Sequence, residues 1–176
     1  VQYATYAAAV LASGLARTGQ RDDATEVLAP LAARGFDVFH AQIWFRGTVD
    51  LGDAVELLGD RAAAAVLRDR LAPFEGRIAG SNFSFSRPVS QALCQLALRL
   101  DDLDGATAIA HRAIAASRRR GTPIFLGREL ILFAAARLRA GDTRGELAAA
   151  VDEAFQIAEA TGAHLINQDA ERYGLI

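Results

Sequence analysis

A turn signal returns along this chain at a nearly constant interval. Gly19-Gln20, Gly59-Asp60, Asp101-Asp102 and Gly141-Asp142 each separate two stretches whose apolar residues recur three and four apart. A period of about forty residues with one turn per unit means stacked helical hairpins, because one hairpin alone cannot bury its apolar face. The spacing therefore predicts an all-α chain, with units at 3–35, 37–73, 87–121 and 122–162 and a short capping helix at 163–173. All of 1–176 reads as a single helical-repeat domain.

Composition suits that architecture. Hydrophobic residues make up 52% of the 176, yet aromatic residues only 7%, and alanine-rich helices approach one another closely. A formal net charge of −2 points away from a nucleic-acid partner. Every basic residue is arginine, which with the alanine content reads as the codon bias of a GC-rich bacterium. The lone Cys94 excludes an internal disulfide and a cysteine zinc site. No apolar run is long enough to span a membrane and no signal peptide is evident, so the expected location is cytoplasmic. A chain that starts at Val1 and lacks methionine reads as a piece excised from a longer protein.

Each unit has its own local signals. In the first, Asp22 or Asp23 is expected to cap the second helix, and Pro30 to kink or end it. In the second, a long helix is expected from Asp37 to Leu58, followed by a partner that stops at Pro73. Residues 73–87 are the one long break in the pattern. With Phe74, Ile78, Phe83 and Phe85, this break reads either as an apolar plug over a hairpin interface or as a binding loop contributing Asn82, Phe83, Phe85 and Arg87. Pro88 is expected in the first turn of the next helix. Ala106, Ala110 and Ala113 share one face and predict a close helix contact. Thr122 and Pro123 read as cap and first-turn proline of the following helix.

With these turns placed, the chain resembles the tetratricopeptide repeat: Leu11, Ala12, Gly19 and Ala24 match in the first unit, Leu51, Gly52, Gly59, Asp60 and Ala64 in the second, Leu93, Cys94, Ala97, Ala106 and Ala113 in the third. The fourth keeps Gly141, Asp142 and Ala154 but has Leu147 where a small residue is usual, and all units are longer than the family's. The resemblance implies a right-handed superhelix of about four antiparallel hairpins, an α-solenoid. The stretch LGDAVELLGDRAAAAVLRDRLAPFEGR is also similar to the C-terminal repeat region of large bacterial ATP-binding LuxR-type regulators and related nucleotide-cyclase proteins. That likeness implies a sensor or docking arm in signal transduction and transcription regulation.

No enzyme signature accompanies this pattern. A G-x-x-x-x-G-K loop is impossible without lysine, and neither G-x-S-x-G nor H-E-x-x-H occurs. His40, His111 and His164 lack ligand spacing, and the carboxylates at 22–23 and 101–104 stand at turns where capping accounts for them. Cys94 reads as a buried, inert thiol, and Arg118-Arg119-Arg120 as cations at a helix C-terminus. Neither a cofactor nor a metal is implied.

In the family resembled, the first helix of each hairpin lines a concave groove. Carried over, that places Tyr6, Ser13, Arg17, Arg46, Asp53, Glu56, Gln91, Gln95, Arg99, Arg128 and Arg139 on one surface. Arg17, Arg99 and Arg139 stand two residues before three of the four turns, and guanidinium groups can grip carboxylates bidentately. If Arg99 and Arg139 serve an anionic partner they should be largely unpaired; if they serve the helix ends they should lie against terminal carbonyls or pair with carboxylates. The expected activity is a non-enzymatic scaffold binding a protein segment or a neighbouring domain of the same chain. The alternative is a small-molecule effector sensor using the groove and the 73–87 loop.

Overall fold

The computed structural model describes residues 2–37, 44–81, 84–142 and 145–176. The chain is mostly helical and forms two compact units, Val1–Leu100 and Asp101–Ile176. The first holds α1 (Gln2–Arg17), α2 (Arg21–Ala32), α3 (Trp44–Leu58), α4 (Arg61–Leu71), β1 (Ile78–Ser81), β2 (Ser84–Pro88) and α5 (Val89–Arg99). The second holds α6 (Leu103–Arg120), α7 (Pro123–Arg139), α8 (Gly145–Thr161) and α9 (His164–Arg172). The boundary falls at the Asp101 turn, inside the third hairpin read from the sequence.

The periodic turns share one conformation. Gly19, Gly59 and Gly141 have φ of 83°, 84° and 82°, and Asp101, which replaces glycine in the third turn, has φ 63°. A left-handed residue just past a helix lets the next N–H reach back five residues to a free carbonyl. Gln20 does so to Leu15, Asp60 to Val55 and Asp142 to Arg137, at 2.9, 3.3 and 3.0 Å. Glycine suits this geometry because it has no Cβ to clash; aspartate is one of the few other residues that tolerate it.

Two of the turn carboxylates then cap the helix that follows. Asp60 accepts from the N–H of Ala63 and Asp102 from that of Gly105, both at 3.0 Å. The cap expected from Asp22 or Asp23 is not made: α2 begins one residue earlier, its N-cap is Gln20, and both aspartates lie in the first turn. Thr122 occupies the N-cap of α7 without a side-chain cap bond; its hydroxyl donates to Ser117 O at 3.4 Å instead. Pro30 is accommodated near the end of α2, which stops at Ala32.

In the first unit, α1 packs on α2 and α3, and α3 packs on α4 and α5. Leu51, Ala54, Val55, Leu67, Leu71, Leu93 and Leu96 are all buried there. Gly52 of α3 lies where a Cβ would touch Ala92 Cβ at 3.5 Å, so small residues bring α3 and α5 close. Arginines also link adjacent hairpins. Arg21, at the start of α2, donates to Leu57 O and Leu58 O at the end of α3 at 2.8 and 2.7 Å. Arg61, at the start of α4, donates to Arg99 O and Leu100 O at the end of α5 at 3.0 and 2.9 Å. Both satisfy carbonyls that a helix end leaves free.

The break at 73–87 is not a featureless loop. A short 3-10 turn at Ala72–Phe74 leads into β1 and β2, an antiparallel hairpin with Gly80 opposite Phe85 and a bulge between Ile78 and Gly80. Ala79 is fully buried and β1 packs against α3. Pro88 consequently closes β2 and serves as the N-cap of α5, not as a residue of its first turn. The long helix expected from Asp37 is seen only from Trp44 onward, because residues 38–43, with His40, lie outside the described residues.

In the second unit α7 is central and packs against α6, α8 and α9. Residues 127–136 of α7 are buried without interruption, as are 89–98 of α5 in the first unit. Both helices read from sequence as one-sided stripes, and both are covered all round. Ala106, Ala110 and Ala113 are buried as the spacing predicted, and Cys94 is a buried free thiol. No helix among the described residues is long and apolar enough to cross a membrane.

Candidate functional site

Asp53 is the centre of a buried polar cluster in the first unit. It projects from the middle of α3, in a stretch where Val49, Ala54 and Val55 are fully buried and Asp53 itself is 5% exposed. A carboxylate there is tolerable only if cations and donors surround it. Arg17, from the last turn of α1, pairs with Asp53 Oδ2. Arg87, from β2, places Nη1 2.9 Å from Asp53 Oδ1. Gln95, from α5, donates to the same Oδ1 at 3.2 Å and accepts from Arg87 Nη1 at 2.7 Å. Arg87 Nη2 completes the cluster on the carbonyl of Val49 at 2.7 Å. Four elements, α1, α3, β2 and α5, thus meet on one carboxylate.

A second ion pair lies beside it. Arg46 and Asp50, one turn apart on α3, are 3.2 Å apart. Burial pushes the Asp50 carboxyl above the usual aspartate range, against the opposing pull of the Arg46 and Arg87 charges. Tyr6 of α1 hydrogen-bonds to Arg46, and its phenol is also raised, chiefly by burial. The charged groups named in these contacts are three arginines, Arg17, Arg46 and Arg87, and two aspartates, Asp50 and Asp53. Arg17 and Arg46 are the exposed members, with side chains 33% and 25% accessible.

The structure brings together Tyr6, Arg17, Arg46, Asp53, Gln95 and Arg87 from the sequence-derived set. Gln91 is buried on the same helix as Gln95. Arg99 ends α5 with its guanidinium against Gly59, where a Cβ would stand 3.4 Å from Nη1. Arg128 and Arg139 belong to the second unit. Arg128 is buried and donates Nε to Asp169 of α9 at 2.7 Å, while Arg139 pairs with Asp101. The largely unpaired state expected of Arg139 is therefore not met, and Arg17, Arg46 and Arg128 are also paired with aspartates. Of the proposed loop contributors, Asn82 and Phe83 lie outside the described residues, Phe85 contributes its backbone to β2, and Arg87 is buried in the Asp53 cluster.

Sequence reasoning missed Asp50, Asp101 and Asp169 as arginine partners. Asp50 was legible, since Arg46 and Asp50 stand at the i, i+4 spacing that places two charges together on a helix. Asp101 and Asp169 carry no such local signal. Among the described residues no group of three or more histidines, cysteines and carboxylates is placed to hold a metal ion. His111 is exposed, its ring 4.7 Å from that of Phe133. No family model matches this chain, and no curated protein or solved structure matches it either.

Proposed function

We propose that this chain is a non-enzymatic, tetratricopeptide-like helical-repeat scaffold that captures an acidic protein segment across α1 and α3. The observation that carries the reading is the anchored arginine pair, Arg17 and Arg46. Each is gripped by a more deeply buried aspartate, Asp53 with 6% and Asp50 with 18% of its side chain accessible, and each is still part-exposed. A guanidinium has five N–H donors in a rigid fork, and Arg17 gives Nη2 to Asp53. Held this way, it loses little further rotamer freedom when a second carboxylate arrives, which favours binding through pre-organisation. The more accessible partner of each of these two pairs is the arginine, which favours an acidic segment.

The packing of α1 on α3 and of α3 on α5 within the first unit supports the same reading, since helical repeats present extended surfaces. In the right-handed superhelix of this proposal, the first helices of successive hairpins form the continuous face. The resemblance to the repeat regions of bacterial signalling regulators extends it to a docking arm in a larger cytoplasmic protein, contacting either a separate partner or a neighbouring domain. Selection of a random peptide library on the immobilised chain tests the proposal. Peptides rich in Asp and Glu should be enriched on the parent, and Arg17→Ala/Arg46→Ala should lose them. No enrichment, or equal enrichment on both, would overturn it.

A further inference from the structure

The two aspartates of the first unit's polar cluster are held unequally. Asp50 and Asp53 stand three residues apart on α3, and so on one side of the helix. Asp53, with 6% of its side chain accessible, is held by Arg17, Arg87 and Gln95. Asp50 is 18% accessible and pairs with Arg46, itself 25% accessible, at 3.2 Å. That is longer than the ~2.7–2.9 Å of a strong charge-assisted hydrogen bond. The pair also runs in the weaker direction, since an acid N-terminal to a base is the better i, i+4 order on a helix. Arg46–Asp50 is therefore the loose contact at the edge of a tightly held cluster.

The surroundings of Asp50 favour its neutral form. Burial acts most strongly and the Asp53 carboxylate adds to it, while Arg46 and Arg87 pull the other way. The groups that act on Asp50 are thus Arg46 and Asp53 from α3 and Arg87 from β2, with Tyr6 of α1 hydrogen-bonded to Arg46. Behind them, α1 brings Arg17 and α5 the uncharged Gln95 to Asp53. Asp50 consequently takes up a proton at higher pH than an exposed aspartate, whose pKa is about 3.9. An acidic segment in solvent keeps its charge while Asp50 loses its own.

We infer that Arg46–Asp50 is a proton-gated latch on the α1–α3 surface: a solvent proton on Asp50 releases the Arg46 guanidinium, and a carboxylate of the incoming segment takes the place of Asp50. The exchange takes up one proton, which forms the Asp50 O–H, and Arg46 keeps its charge throughout. Tyr6, hydrogen-bonded to Arg46 from α1, keeps the released guanidinium at that surface. Arg17 is not gated in this way, because its partner Asp53 is held by Arg87 and Gln95 as well. The incoming segment rests on the acidic-segment reading above; the latch itself rests on Asp50 and Arg46 alone.

An NMR pH titration of the 13C,15N-labelled chain follows the Asp50 carboxyl carbon and the Arg46 Nε–H together. Both should move with one midpoint above about 3.9. In Asp50→Asn, which keeps the shape and removes the charge, Arg46 should show no transition there. Calorimetry with a blocked peptide of alternating aspartate and serine gives the second readout. At about pH 7, Asp50→Asn should bind the peptide about threefold or more tightly than the parent, the scale of a partly exposed ion pair. The gap should close as pH falls to the midpoint. In an Arg46→Ala background Asp50→Asn should bring no gain, which separates release of Arg46 from a mere change of net charge. An Asp50 transition that Arg46 does not follow overturns the latch. So does peptide binding that Asp50→Asn leaves unchanged, or a gain that persists without Arg46. Coupled titration with no peptide bound by any of these chains supports the latch and overturns the acidic-segment reading instead.

Discussion

Gly127 shows how one missing methyl group sets the packing of the second unit. A Cβ there would lie 2.5 Å from Ile166 Cδ1 and 3.3 Å from Ile157 Cγ2, and Ile166 is itself fully buried. Alanine is the better helix former by about 1 kcal/mol, but overpacking costs about 1–3 kcal/mol, so Gly127→Ala should be net destabilising in urea unfolding. Ile166→Val removes the clashing methyl, and in the double variant the two losses should add to less than their sum. At Asp53 the arithmetic is electrostatic. Asp53→Ala would leave Arg87 buried without its carboxylate, and breaking a buried pair costs about 3–5 kcal/mol; a urea midpoint near that of the parent would show that Gln95 and the Val49 carbonyl suffice. Asp50 adds a pH dependence. Its folded-state pKa is raised by burial, so the folded chain holds this proton more tightly than the unfolded chain does. Stability from this group is present below the ordinary aspartate pKa and is lost as pH rises from there through the folded value. Asp50→Asn should remove that falling limb, seen as a variant-minus-parent stability difference that grows in the variant's favour across the window.

At the scale of elements, the turns carry the regularity. Gly19 and Gly59 have nearly the same φ, yet a Cβ at Gly19 would meet nothing within 4 Å, whereas one at Gly59 would meet Arg99 Nη1 at 3.4 Å. A contact of 3.4 Å is ordinary van der Waals distance, so Gly19→Ala and Gly59→Ala should each cost about 1 kcal/mol for the left-handed backbone alone, with matched losses in thermal melts. A clearly larger loss for Gly59→Ala would mean that the Arg99 guanidinium is held in place there. The β1–β2 hairpin is the element that departs from the repeat. It carries Arg87 into the Asp53 cluster, so an insertion between two hairpins completes the polar core of the first unit.

For the whole molecule, the division at Asp101 has a testable consequence. The second unit has its own buried set, with Ala106, Ala110 and Ala113 on α6, Leu130 to Ala136 on α7, Ala154 on α8 and Ile166 on α9. Residues 101–176 expressed alone should give a helical circular-dichroism spectrum and a cooperative thermal transition. Cores of this size supply no more than about 3–5 kcal/mol, so the transition should fall below that of the full chain. A non-cooperative melt would mean that the unit depends on the rest of the protein for its fold.

The sequence by itself determined most of the helices, the turn register and the buried alanine face of α6, because these depend on the spacing of residues a few positions apart. Gly19, Gly59 and Gly141 stand at helix ends, Asp60 and Asp102 cap the helices that follow, and Ala106, Ala110 and Ala113 share a face; each is a local property that spacing encodes. Only the tertiary structure decided what the charged and amide side chains do. Periodicity marks which face of a helix is apolar, but not whether a neighbour also covers the polar face, and so α5 and α7 read as half-exposed although Gln91, Gln95 and Arg128 are buried. Arg17 meets Asp53, Arg128 meets Asp169 and Arg139 meets Asp101 across separations of 36, 41 and 38 residues. No local rule carries a pairing over that distance, and whether an arginine is offered to a partner or held within the fold is set by which carboxylate the packing brings beside it.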